Sequence, residues 1–122
     1  EAVAKGLVGR ILTRFEDKGF CIKRLRVAEL VEDVIKEHYA HHQDKAFFPG
    51  LVEAMTCGPV VMAILAGENS VEVVRGMVGA TDPAKASPGT IRGDYAISLP
   101  YNMIHAADSV ETARAEIKRF FR

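Results

Sequence analysis

His105 is the residue with the widest chemical reach in this sequence. It closes the apolar stretch Met103-Ile104 and stands just ahead of Asp108-Ser109-Val110-Glu111, which reads as a helix start with capping-box character. A helix start offers backbone N–H groups and the positive end of the helix dipole to an anion. An imidazole placed there can work as acid, base or nucleophile near neutral pH. Arg75, Thr81 and Arg92 bracket the stretch from Ala80 to Gly93 with two guanidiniums and a hydroxyl, a donor set that holds phosphates. Taken singly, each has a plainer reading: His105 as a satisfied structural histidine, each arginine as a solvated surface residue.

Two further groupings compete. His38 and His42 are spaced i,i+4 on an expected helix, which can bring two imidazoles to one metal, but no HExxH pattern and no third ligand accompany them. A wet helix face is the simpler account. Phe47 and Phe48, ahead of Pro49-Gly50, either pack in the core or leave one ring exposed as a platform for a nucleobase. Gly79, Gly89 and Gly93 resemble a phosphate cradle only loosely, and neither GxxxxGK[ST] nor GxGxxG occurs.

The elements that must position these residues follow from apolar spacing. Leu7, Val8, Ile11, Leu12 and Phe15 predict a helix over Gly6 to Lys18, with Gly19 as its stop. Phe20 to Val27 predicts a strand, Val31 to His42 a helix and Phe48 to Met55 a short helix. The continuous apolar run from Val60 to Ala66 predicts a buried strand. Ser70 is expected to cap a helix that stops near Gly79. Pro83, Pro88-Gly89 and Gly93 break all periodicity from Ala80 to Gly93, and a loop of that length inside a domain is usually functional or disordered. Tyr95 to Leu99 and Met103 to Ala106 are expected to be extended, and Val110, Ala113, Ile117 and Phe120 carry a last helix. Helices and strands alternate with too few strands for a doubly wound sheet, so a small α/β sandwich is the class that the pattern supports.

Composition narrows the function. The 122 residues balance 16 Lys and Arg against 16 Asp and Glu, which excludes a polybasic tail or a strongly cationic nucleic-acid binder while leaving room for a local basic patch. The longest apolar run, Pro59 to Ala66, is far short of the roughly 20 residues of a membrane span. No leader pattern opens the sequence, and Cys21 and Cys57 form no CxxC pair, so reduced thiols in a cytoplasmic protein are expected.

Several weak motifs coincide, in order, over essentially the whole length. Gly6-Leu7-Val8-Gly9, His38-Tyr39, Phe47-Phe48-Pro49-Gly50-Leu51, Gly79-Ala80-Thr81-Asp82-Pro83, Pro88-Gly89-Thr90-Ile91-Arg92-Gly93-Asp94 and Asn102-Met103-Ile104-His105-Ala106-Ala107-Asp108-Ser109 together resemble the nucleoside diphosphate kinase family. The resemblance implies an α+β fold, a ferredoxin-like antiparallel sheet with helices on its faces, in one domain over residues 1–122. It implies ping-pong transfer of the γ-phosphate of a nucleoside triphosphate to a nucleoside diphosphate through a phosphohistidine. His105 matches the nucleophile and Glu116 the carboxylate that orients its ring. Arg75, Thr81 and Arg92 match the phosphate-gripping residues, Tyr39 the tyrosine beside the transferred phosphate, and Asn102 the ribose contact. Phe47 matches the ring that stacks on the base, with Leu99 opposite and Leu51 among the substrate contacts. Mg2+ would arrive on the nucleotide phosphates with mostly water ligands, so no protein metal site is implied. A homo-hexamer or homo-tetramer is implied, with the Ala80–Gly93 loop and Pro88 at the contact between protomers, and with no membrane and no specific nucleic-acid partner.

Three departures stand out. The family usually carries a serine two residues after the nucleophile, where this sequence has Ala107. Losing one neutral hydrogen bond costs about 1 kcal/mol, so reduced rather than abolished transfer is expected. The family's first strand ends in a Lys-Pro pair immediately before the position of Glu1, and neither that strand nor its lysine is among these residues; Lys5 comes too late to replace it. The sequence also stops before the family's usual C-terminal tail. The absent lysine and Ala107 motivate an alternative, a catalytically impaired kinase-like domain kept for nucleotide binding or assembly.

Overall fold

The structure is a computed structural model that describes residues 1–30, 58–99 and 101–121. The helices expected over 31–42 and 48–55 lie outside the described residues, as do His38, Tyr39, His42, Phe47, Leu51 and Cys57.

Helix α1 spans Val8–Lys18 and ends at Gly19, whose φ of 113° is left-handed, the conformation a C-terminal stop needs. Its apolar stripe buries Ile11 and Phe15, as the spacing predicts. Strands β1 (Cys21–Glu29) and β2 (Pro59–Ala66) pair antiparallel, from Cys21 opposite Ala66 to Glu29 opposite Pro59. The register slips by one residue between Ile22 and Arg24, a bulge at Lys23. Helix α2 (Ser70–Val78) follows, then a 3₁₀ turn (Pro83–Lys85), the short helix α3 (Ile91–Tyr95) and helix α4 (Val110–Phe120). Ile11, Phe15, Phe20, Val78 and Ile91 form the core, with Met103, Ile104 and Ala106 resting on it. The rings of Phe15 and Phe20 meet edge-on, centroids 6.5 Å apart, an arrangement favoured by their quadrupoles.

Four local expectations need correcting. Ser70 is the first residue of α2, not its cap: the tight turn leaving β2 puts Asn69 at the cap in a left-handed conformation, with no side-chain hydrogen bond. The Ala80–Gly93 stretch is ordered, because its polar side chains make their own local bonds. Asp82 Oδ1 accepts from the Ala84 amide at 3.1 Å, and Thr90 Oγ1 donates to the Ser87 carbonyl at 2.6 Å. Tyr95 belongs to a helix rather than to a strand, since Thr90 caps α3 by accepting from Gly93 N at 3.0 Å. Tyr95–Leu99 and Met103–Ala106 both lack strand pairing. In the second, the carbonyls of Ile104 and Ala106 are taken by arginine side chains instead of a neighbouring strand.

Two glycines are dictated by close packing. A Cβ on Gly93 would collide with the Ser87 carbonyl, and one on Gly79, at φ 94°, would press on the Thr90 hydroxyl.

Candidate active site

Ser109 opens α4 in the way the sequence indicates: its Oγ accepts from the Thr112 amide at 3.0 Å. Thr112, not Glu111, takes the third helical position, so the cap closes through hydroxyls, Ser109 Oγ donating to Thr112 Oγ1 at 2.9 Å. The far end of α4 is fastened to the sheet. Arg26 Nη1 donates to the Phe120 carbonyl at 3.0 Å and Arg24 Nη1 to the Phe121 carbonyl at 3.3 Å, the Arg24 guanidinium also lying 5.1 Å from the Phe121 ring centre. Cations at a helix C-terminus satisfy its last carbonyls and oppose its dipole. With both ends fixed, α4 presents Glu116 to His105.

His105 Nε2 and Glu116 Oε1 are 2.7 Å apart. The imidazole is 35% exposed and the carboxylate 13%, so the ring is reachable while its partner is shielded. A carboxylate only accepts, so Nε2 carries the proton and the ring's lone pair resides on Nδ1. That tautomer is the one a nucleophilic imidazole needs, and a carboxylate so placed can stabilise positive charge on the ring.

The segment leading to His105 has no regular structure and is held by side chains. Arg92 is 3% exposed, which corrects its reading as a solvated surface residue. Its Nε donates to the Asn102 carbonyl at 3.2 Å, Nη1 to Gly79 at 3.2 Å and Nη2 to Ile104 at 2.5 Å. Asn102 Nδ2 donates to the Thr81 carbonyl at 3.1 Å, and Arg75, itself exposed, donates from Nη1 to the Ala106 carbonyl at 3.3 Å. Arg75, Thr81, Arg92, Asn102 and His105 thus converge on one strip of backbone, with Glu116 at its end. Leu99 is 52% exposed. Tyr39, Phe47 and Leu51 lie outside the described residues.

Several contacts of this arrangement are not foreshadowed by residue type and spacing. Met103 has φ 73°, and the Ile104 amide donates to the Asn102 carbonyl at 2.9 Å, which closes a γ-turn of the rare positive-φ kind. Asp108, next to the start of α4, has its carboxyl held below the ordinary aspartate value, first by the Thr112 hydrogen bond, with Arg75 and His105 adding to the effect. Arg14 reaches from α1 to the other side of the loop. Its Nη2 meets Asp94 Oδ2 at 2.6 Å and donates to the Tyr95 hydroxyl at 3.2 Å, and its Nη1 donates to the Gly89 carbonyl at 3.1 Å. Asp94 Oδ1 accepts from the Gly89 amide at 2.9 Å, and that bond, then Arg14, lowers the Asp94 pKa. An open groove of about 670 Å³ runs between the starts of α2 and α4, lined by Ser70, Arg75, Asp108 and Ser109 among others. Among the described residues no group of three or more His, Cys, Asp or Glu could hold a metal ion.

A carboxylate-oriented imidazole beside arginines and a helix start is the equipment of an enzyme that passes phosphoryl groups. The comparisons with known proteins say which. The family profile described as nucleoside diphosphate kinase matches residues 1–122. The nucleoside diphosphate kinase of Roseiflexus sp. (strain RS-1) is 48% identical over 122 residues, which are 100% of this chain and 82% of that relative. That of Thermus thermophilus is 49% identical over 122 residues, 100% of this chain and 89% of the relative. Among solved structures, the apo enzyme of Encephalitozoon cuniculi superposes with a TM-score of 0.95 at 39% identity, covering 98% of this chain and 81% of that one. The Halobacterium salinarum enzyme in complex with CDP superposes with 0.94 at 43% identity, covering 98% and 80%. The chain belongs to the nucleoside diphosphate kinase family. It is a phosphotransferase with the family's α+β, ferredoxin-like fold, and the reading as an impaired binding domain is not favoured.

Proposed function

We propose that this chain transfers the γ-phosphoryl group of a nucleoside triphosphate to a nucleoside diphosphate in two half-reactions at His105. Nδ1 attacks the γ-phosphorus, an N–P bond forms, the bond to the β-bridging oxygen breaks, and the nucleoside diphosphate departs. A terminal phosphate oxygen of a second diphosphate then attacks the phosphohistidine and returns the imidazole to its starting state. The observation that carries this reading is the 2.7 Å contact between His105 Nε2 and Glu116 Oε1, which leaves the nucleophilic lone pair on Nδ1.

The remaining roles belong to the same proposal. Arg75, Thr81 and Arg92 bind phosphates, Tyr39 stands beside the transferred group, and Asn102 meets the ribose. Phe47 and Leu99 sandwich the base and Leu51 adds apolar contact; stacking on a ring face suits many bases. The CDP bound to the Halobacterium relative supports a nucleoside diphosphate as the acceptor. Kinases of this kind act on nucleotides complexed with a divalent metal, and we assign Mg2+, travelling on the phosphates as part of the substrate. Residues 1–122 act as one domain of a homo-hexamer or homo-tetramer in the cytoplasm, the Ala80–Gly93 loop meeting a neighbouring protomer. Among the described residues no helix is long and apolar enough to cross a membrane.

Initial velocities with both nucleotides varied in the presence of Mg2+ test the reading. Parallel double-reciprocal lines are expected, and intersecting lines would contradict a phosphoenzyme route.

A further inference from the structure

The γ-turn two residues before His105 is an unusual place for methionine. A side chain at φ 73° is disfavoured, and positive-φ γ-turns persist only where their surroundings over-determine them. Arg92 supplies part of that determination through the carbonyls of Asn102 and Ile104. A further polar group of the turn, the Met103 amide, is held by a residue from the other end of the sequence: Glu1 Oε1 accepts from it at 3.1 Å.

Glu1 is itself held in place. Its Oε2 pairs with Lys5 Nζ at 2.9 Å, an i,i+4 contact within a turn closed by Lys5 N donating to the Glu1 carbonyl at 3.0 Å. The Glu1 side chain is only 18% exposed, and the next residue, Ala2, packs against the core. The carboxylate is thus a fixed acceptor, and Met103 meets it only in the conformation that the γ-turn provides.

We propose that Glu1 is a positioning residue for His105: its carboxylate fixes the strained Met103 turn and, through it, the placement of the imidazole against Glu116. Without that acceptor the Met103 amide turns away, φ relaxes toward negative values, and the backbone two residues on shifts relative to α4. The inference rests on the reading of His105 as the phosphorylated nucleophile. It assigns no contact between Glu1 and nucleotide.

The test is single-turnover phosphorylation of the full-length protein by labelled ATP, alongside the dissociation constant for a nucleoside diphosphate measured by calorimetry. Glu1→Ala is expected to slow phosphorylation about tenfold, the scale of a lost charge-assisted hydrogen bond, with the dissociation constant within about threefold of wild type. Glu1→Gln, whose amide oxygen still accepts, should stay within about threefold. In a Met103→Gly background, where positive φ carries no penalty, removing Glu1 should cost less than about threefold. A wild-type rate in Glu1→Ala overturns the proposal, as does an equal loss in Glu1→Gln or an undiminished cost in the glycine background. Should Glu1→Ala fail to fold, hydrogen exchange of the Met103 amide in wild type and in Glu1→Gln decides: protection is expected in both, and free exchange in wild type overturns it. A His105→Ala control separates the two ideas. Label taken up by that variant defeats the phosphohistidine itself, whereas a silent control beside a wild-type rate in Glu1→Ala defeats the role of Glu1 alone.

Discussion

Helix α1 meets the strands through Ile11, Phe15 and Phe20, three apolar side chains almost out of solvent. The stretch from Gly79 to Ala106 rests on the same core through Ile91, Met103, Ile104 and Ala106, but its path is set by Arg92, Thr90, Asn102 and Arg75 bonding to backbone carbonyls. The first region is held by burial, which is non-directional and tolerates repacking. The second is held by directed polar bonds, which fix the backbone outside its short helices. Damage to the first should therefore show in stability, and damage to the second in catalysis as well.

The largest effects draw that contrast most sharply. Phe15→Ala should lose about 3–5 kcal/mol of stability, yet turn over at the wild-type rate per folded molecule. Arg92→Met should lose roughly 3 kcal/mol, about 1 kcal/mol for each hydrogen bond removed from the carbonyls of Asn102, Gly79 and Ile104, and most of the activity with it. Urea unfolding paired with kcat on the folded fraction checks both. A Phe15→Ala chain with depressed kcat would break the distinction.

Glu116→Gln replaces a charge-assisted hydrogen bond with a neutral one. A drop in kcat of about 10- to 100-fold is expected at unchanged stability, read from steady-state turnover and thermal unfolding. Ala107→Ser places a hydroxyl two residues after His105, where the family resemblance leads us to expect one. The expected gain is about fivefold in kcat, the worth of about 1 kcal/mol, and no gain would show that the position is indifferent here.

The smallest effect concerns the Arg14–Asp94 lock between α1 and the loop. Because the Asp94 carboxyl titrates below its ordinary value in the folded chain, its stabilisation is present above the ordinary aspartate range and is lost as pH falls through the lowered value. Asp94→Asn should flatten the acid side of a stability–pH profile in that window while leaving neutral-pH turnover intact. A wild-type acid limb in the variant would show that the lock contributes nothing.

The two regions also differ in how they are written in the sequence. Helix α1 is visible in apolar spacing because burial imposes its period on residue type, the strand pair in apolar, β-branched runs, and the start of α4 in cap chemistry. His105, Arg75, Thr81, Asn102 and Glu116 are singled out by the family resemblance as candidate site residues, and the described structure brings them to one strip of backbone. The burial of Arg92 and the left-handed Met103 were not legible. A guanidinium bonded to carbonyls 10 to 13 residues away leaves no period, and an apolar stretch such as Met103-Ile104 reads as extended until its carbonyls find side-chain donors. The link from Glu1 to Met103 spans nearly the whole sequence and has no local mark at all.

The central claim is that His105 carries the phosphoryl group between nucleotides. Incubating the full-length protein with γ-labelled ATP and Mg2+, then chasing with unlabelled nucleoside diphosphate, tests it directly. The account predicts acid-labile, base-stable label on the wild-type protein that the chase removes as nucleoside triphosphate, and none on His105→Ala. Label on His105→Ala at the wild-type level would contradict it.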